Sequence, residues 1–106
     1  MSTVRYGTLI PIDGDDIDTR GMDFSRALPT GDSLASCTVT VASGTGTVSA
    51  TQGGTYGTSA SASVSDNVAT VWIKGCVAPE VTLRFRGVTT QGRQLDLTGA
   101  LRVGAR

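Results

Sequence analysis

The sequence predicts an all-β domain, a single antiparallel β-sandwich of about seven strands. Three observations carry this expectation. Thr, Ser and Gly supply 40 of the 106 residues, 16 of them Thr, while the long helix formers Glu, Lys and Met are nearly absent; that is the composition of strands and turns. Three segments alternate strictly between apolar and polar residues, as strands with one buried and one wet face do. Turn-forming residues punctuate the chain at short intervals, which favours a sandwich over a few long strands. A chain of this length makes one domain with one modest core, so 1–106 is read as a single unit.

The elements follow in chain order. A first strand is expected around Thr3–Ile10. "PIDGDDIDTRGMD" (11–23) then holds five of the nine acidic residues, Asp13, Asp15, Asp16, Asp18 and Asp23. "DFSRAL" (23–28) is the one helical candidate: Asp23 can cap it and Pro29 stops it, so it has room for one turn. "ASCTVTVA" (35–42) places Ala35, Cys37, Val39 and Val41 on one face. Weaker strands are expected at 45–51 and 57–65, separated by Gly53-Gly54; the small inward residues Ala60, Ala62 and Val64 suit an edge. "VATVWIK" (68–74) is apolar on both faces and reads as a central strand, covered on its second face by another sheet or subunit, with Trp72 in the core. "EVTLRFR" (80–86) turns Val81, Leu83 and Phe85 inward. "QLDLTGALRV" (94–103) does so with Leu95, Leu97, Leu101 and Val103, and Gly99 on that face suggests a bulge or a close backbone approach. "SDN" (65–67) and "TQG" (90–92) are hairpin turns.

Charge and motif spacing then exclude several chemistries. No His is present, which removes Ser-His-Asp and Cys-His catalysis and most zinc sites. The acidic stretch fails as a calcium loop. From Asp13 the sixth and twelfth positions are Asp18 and Phe24; from Asp16, Gly21 fits the sixth but Ala27 takes the twelfth. No second acidic cluster completes an acid–base pair, so neither a metal, a cofactor nor a catalytic residue is assigned. The first ten residues lack an apolar core of signal-peptide length, so Cys37 and Cys76 are expected as free, partly buried thiols of a reducing cytoplasm. The order Cys37, Trp72, Cys76 does not fit an immunoglobulin disulfide framework. No segment approaches a membrane span.

The remaining readings of the acidic stretch are a flexible acidic loop that keeps the domain soluble and, the one taken here, a contact arm. Residues 8–23 form an extended segment in which Ile10, Ile12, Ile17 and Met22 anchor to a neighbour and Asp13, Asp15, Asp16 and Asp18 carry charge. The net charge is zero, but residues 1–66 hold seven acids and three bases, and residues 67–106 two acids and six bases. That gradient suits head-to-tail packing of copies, although chance placement on a solvated surface is the plainer account of it. Arg84, Arg86 and Arg102 form an outward basic stripe on two strands, read as a protein interface or a solvated face because no aromatic residues interleave with it for nucleic acid.

"MDFSRALPTGDSLASCTVTV" (22–41), "TVWIKG" (70–75) and "VTLRFRGVTTQGRQLDLTGALRV" (81–103) resemble, in that order, small virion proteins of tailed bacteriophages, of the fibre–tail adaptor type. The pattern is an acidic-aromatic-Ser stretch, Gly-Asp-Ser before an alternating strand, a "VW(L/I)-x-G" strand, and a Thr-rich turn with Gly-Arg. Phe24 stands where Trp is common and Cys76 where a second Gly is. The resemblance covers about 80 residues. It implies an immunoglobulin-like sandwich and a non-enzymatic structural protein at the head–tail junction or a fibre base, assembled in the host cytoplasm. Its implied partners are portal, connector, tail or fibre components and copies of itself. It implies structural roles for Gly31-Asp32, as the turn into the strand, and for Gly92-Arg93, with Arg93 pairing with an acid on a neighbour. A capsid decoration protein is the alternative within the class, separable by copy number. A carbohydrate-binding module using Trp72 and Tyr56 is the alternative outside it, and a polysaccharide-degrading enzyme ranks last.

Overall fold

The computed structural model describes residues 3–104, with side chains from Ile12 onward. Two sheets pack face to face. The first has the order β1 (Thr3–Ile12), β9 (Gln94–Val103), β8 (Glu80–Thr89), β3 (Leu34–Ser43), β5 (Ser59–Ser61). The second is β2 (Asp18–Asp23), β7 (Val68–Lys74) and β4 (Thr47–Ser49), with β6 (Ser63–Ser65) also on β7. All strand pairs are antiparallel except β1 with β9, which is parallel. In immunoglobulin terms β3, β8 and β9 occupy the places of strands C, F and G, and β2 and β7 those of B and E. One 3₁₀ turn, Ser25–Ala27, is the whole helical content of the described residues. Asp23 Oδ1 accepts the Ser25 N–H at 2.9 Å at its start.

The alternating strands behave as their pattern requires. Val81, Leu83 and Phe85 of β8 and Leu97, Leu101 and Val103 of β9 are buried, facing Met22, Val48, Ala69, Val71 and Ile73 of the opposite sheet. Each fully buried side chain of this kind contributes about 1.5–3 kcal/mol of hydrophobic stabilisation. On β3, Cys37 and Val39 point inward, but Ala35 is exposed and Leu34 is buried instead. A register irregularity between Leu34 and Ser36 inverts the alternation there. Gly99 lies inward opposite Leu83 with β8 in unbroken register, while on its other side β1 carries an irregularity between Arg5 and Thr8, opposite Thr98 and Ala100. The bulge is therefore on the neighbouring strand.

The stretch 57–65 is two strands. β5 pairs with β3 and β6 with β7, so the chain changes sheets at Ala62, whose N–H donates to the Cys37 carbonyl at 2.8 Å. Ala60, Ala62 and Val64 pack partly buried against the core, at the sheet edges. Asp66 and Asn67, with φ of 51° and 66°, make the two-residue turn from β6 into β7.

Two expectations are corrected. Trp72 is not in the core: Ala69, Val71 and Ile73 take the inward positions of β7, which puts Trp72 half-buried on the outer face with Thr70 and Val68. The segment 8–23 is not an extended arm. It ends β1, turns at 13–16 and forms β2, so Ile12 and Met22, at 1% and 4% exposure, belong to the protein's own core. Carrying the chain from one sheet to the other requires apolar residues on both sides of the corner, and these two supply them. Ile10 lies in β1, and its side chain is outside the described residues.

Candidate functional site

The acidic stretch becomes the corner of the sandwich. Asp16 N–H donates to the Asp13 carbonyl at 3.0 Å, Asp16 Oδ2 accepts Asp13 N–H at 3.2 Å, and Asp13 Oδ1 accepts Asp15 N–H at 2.9 Å. Short acidic side chains favour such turns because they bond the nearby backbone. The corner packs on the loop that follows β7: a Cβ on Gly14 would stand 3.0 Å from the Cys76 carbonyl oxygen. These two adjacent loops carry Ile17 and Val77, which with Val88 are the exposed large apolar side chains among the described residues, at 52%, 54% and 40%. Ile17 is an expected contact residue. Val77 is not, although "KGCVAPE" isolates one branched apolar residue between Gly and Pro, which is the available signal. Among the described residues no group of three His, Cys, Asp or Glu is arranged to hold a metal.

The basic stripe faces outward as expected, and one of its three arginines is ion-paired within the chain. Arg86 Nε and Nη2 donate to Asp96 Oδ1 and Oδ2 at 2.9 and 3.1 Å, a bidentate pair. Arg102 lies opposite Glu80 in the β8–β9 register. Arg84 stands between Thr40 and Thr98 on the neighbouring strands. The charge gradient along the sequence thus maps to an acidic end and a mixed sheet face rather than to two opposed poles.

Arg93 does not await an acid on a neighbour. Its Nε lies 3.3 Å from Oδ2 of Asp32 in the same chain. The Asp32 side chain is shut off from solvent just beneath the turn surface. Oδ1 accepts Ser33 N–H at 2.9 Å, the Thr90 hydroxyl at 3.0 Å and Gln91 N–H at 3.2 Å. Oδ2 makes no aligned hydrogen bond and faces the Arg93 guanidinium. Burial pushes this carboxyl upward, but hydrogen bonds from Thr89, Ser33, Thr90 and Gln91 outweigh it and hold Asp32 below the usual carboxylate range. Gly-Asp-Ser and Thr-Thr-Gln-Gly-Arg, about 60 residues apart in sequence, are two halves of one network at the opposite end of the sandwich from the acidic corner.

Of the two aromatic residues proposed for sugar stacking, Trp72 is half-buried on the outer face of β7 and Tyr56 is engaged within the chain. Lys74 Nζ sits 4.3 Å from the centroid of the Tyr56 ring, and the Tyr56 hydroxyl donates to the Gln52 carbonyl at 2.8 Å. Cys37 and Cys76 are free and buried. Burial pushes the Cys37 thiol up to about 12, and raises Cys76 against the opposing charge of Arg20. Because the thiolate is the nucleophile, Cys37 is expected to resist iodoacetamide at pH 8 in the native protein and to react fully in urea. A native rate equal to that of a free thiol contradicts its burial.

A sequence model of the family described as "Podophage GP4 fiber-tail adaptor protein gp77" matches residues 13–102. The match begins at the acidic corner, spans the Asp32–Arg93 network and reaches the end of β9. No curated protein and no solved structure matches the chain significantly.

Proposed function

The chain belongs to the podophage fibre–tail adaptor family, a family of virion structural proteins, and from that premise we propose that it is a non-enzymatic adaptor at the head–tail junction or fibre base whose contact surface is the acidic corner. An adaptor of this family binds other virion proteins such as tail and fibre components. In this chain Ile17 and Val77 are the contact residues, flanked by Asp13, Asp15, Asp16 and Asp18. The observation that carries the reading is the exposure of these two side chains, 52% and 54%, on adjacent loops at one end of the sandwich; among the described residues the one other large apolar side chain left exposed is Val88, on β8. Apolar anchors inside a charged rim are the usual anatomy of an interface, and a few such anchors supply most of the affinity. The rim selects a partner surface with basic residues around an apolar depression, and like-charged surfaces are repelled. The stiff sandwich sets the distance and angle between the components it joins.

The test is the double variant Ile17→Ser, Val77→Ser. Both side chains are exposed, so its melting temperature is expected to stay close to that of the parent. Its incorporation into particles assembled in infected cells is expected to fall at least about tenfold, the loss of two anchors of roughly 1 kcal/mol or more each. Normal incorporation removes the acidic corner as the contact, and absence of the parent protein from purified particles removes the adaptor reading altogether. Counting copies separates an adaptor from a capsid decoration protein, which covers the shell in far greater number.

A further inference from the structure

β2 forms one edge of the four-stranded sheet. Its register with β7 continues past Asp23, where Phe24 N–H donates to the Asn67 carbonyl at 2.8 Å. Hydrogen-bonded pairs in an antiparallel ladder recur every second residue. The backbone groups of the even-numbered residues therefore face β7, and those of Thr19, Gly21 and Asp23 point away from the sheet. Such a row is a template for an incoming strand. It is also self-complementary. A second copy pairing antiparallel about Gly21 would set Gly21 against Gly21 and Thr19 against Asp23, with every outward donor meeting an outward acceptor.

Thr19 is already closed on both sides by its neighbours. Asp18 Oδ1 accepts the Thr19 N–H at 2.8 Å, and Arg20 Nη1 donates to the Thr19 carbonyl at 2.6 Å. The two side chains hold each other, Arg20 Nη1 lying 3.0 Å from Asp18 Oδ2. In the two-fold register each Thr19 group would bond Asp23 of the other copy, so the clamp leaves only the Gly21–Gly21 bonds open. We propose that the β2 edge is a latent self-pairing surface, and that the Asp18–Arg20 clamp holds it shut against a second copy of this chain. With Asp18 paired to Arg20, the edge keeps the negative charge of Asp23, which adds some repulsion between like edges. The partner class is specific: another β2, not an apolar or basic segment.

The test opens the clamp. Asp18 is about half exposed, so Asp18→Ala is expected to fold like the parent; it removes the Thr19 N–H acceptor and the anchor of Arg20. Asp18→Ala with Arg20→Met opens both sides and keeps the apolar volume of the Arg20 stem. The expected result is a concentration-dependent dimer beyond whatever state the parent shows by light scattering, with amide exchange at Thr19, Gly21 and Asp23 slowed about tenfold or more in the dimer. A folded variant with the parent's mass and unchanged exchange overturns the proposal, as does a dimer that leaves these three amides unprotected. If the double variant fails to fold, the single variant decides by the same two readouts.

Discussion

Replacing Phe24 with Ala is expected to destabilise the protein by about 3–5 kcal/mol, the cost of deleting a fully buried aromatic ring. Phe24 has no solvent exposure and lies where the chain leaves β2 for the 3₁₀ turn, closing one end of the core. Its ring rests against a missing side chain. A Cβ on Gly87 would stand 2.8 Å from Phe24 Cε2 and 2.6 Å from Leu34 Cδ1, so β8 gives up a side chain at an inward position to admit the ring. The converse substitution, Gly87→Ala, forces ring and leucine apart and is expected to cost about 1–3 kcal/mol by overpacking. Since domains of this size hold only about 5–15 kcal/mol in total, the first variant consumes a large share. Urea unfolding measures both as midpoint shifts at unchanged slope. A Phe24→Ala midpoint close to that of the parent shows that the ring does not close the core.

The second large effect is expected at Asp32. Its native carboxyl is held below the usual range, against about 3.9 in the unfolded chain. A depressed native value means that ionised Asp32 adds stability fully above about pH 4, and that this contribution is lost as the pH falls through the native value. Asp32→Asn keeps the shape and a neutral Oδ1 acceptor for Ser33, Thr90 and Gln91, but loses the charge facing Arg93 and puts an amide donor where Oδ2 stood. Its melting temperature at pH 7 is expected to lie several degrees below that of the parent. The gap should narrow as both proteins are acidified from pH 5 toward pH 2. Calorimetry across that range checks it, and parallel curves with a constant gap show that the charge of Asp32 is not what ties the two turns together. Because the network joins the start of β3 to the β8–β9 hairpin, faster amide exchange at Thr90 and Gln91 should accompany the loss.

The strands that could be read directly were those with a polar face. Val81, Leu83, Phe85, Leu97 and Leu101 had alternating neighbours, and alternation assigns faces without knowledge of the partner sheet. β7 was harder because both faces are apolar; parity alone could not say which face meets the other sheet, and Trp72 fell on the outer one. The same limit applied to Ile12 and Met22. Among aspartates they read as anchors for a neighbour, yet the corner needed them inside. Ala35 was misplaced because a one-residue irregularity reverses every face before it, and such an irregularity leaves no mark in the local pattern.

Of the candidate site, Ile17 and the aspartates around it were legible, since a branched apolar residue among charges stands out in any short stretch. Val77 joined them only when two loops met at one end of the sandwich. Arg93 and Asp32 were each visible as turn residues, but their pairing was not, because nothing local records which turn lies beside which. By itself the sequence determined the all-β class, the inward faces of the alternating strands, the turns and the absence of imidazole chemistry, all set by composition and by period-two spacing along the chain. Only the tertiary structure decided the change of sheet at Ala62, the Asp32–Arg93 union, the Asp18–Arg20 clamp on the β2 edge and which apolar side chains are left exposed. Those depend on contacts between segments far apart in the chain, whose geometry the packing of the two sheets fixes and local periodicity does not.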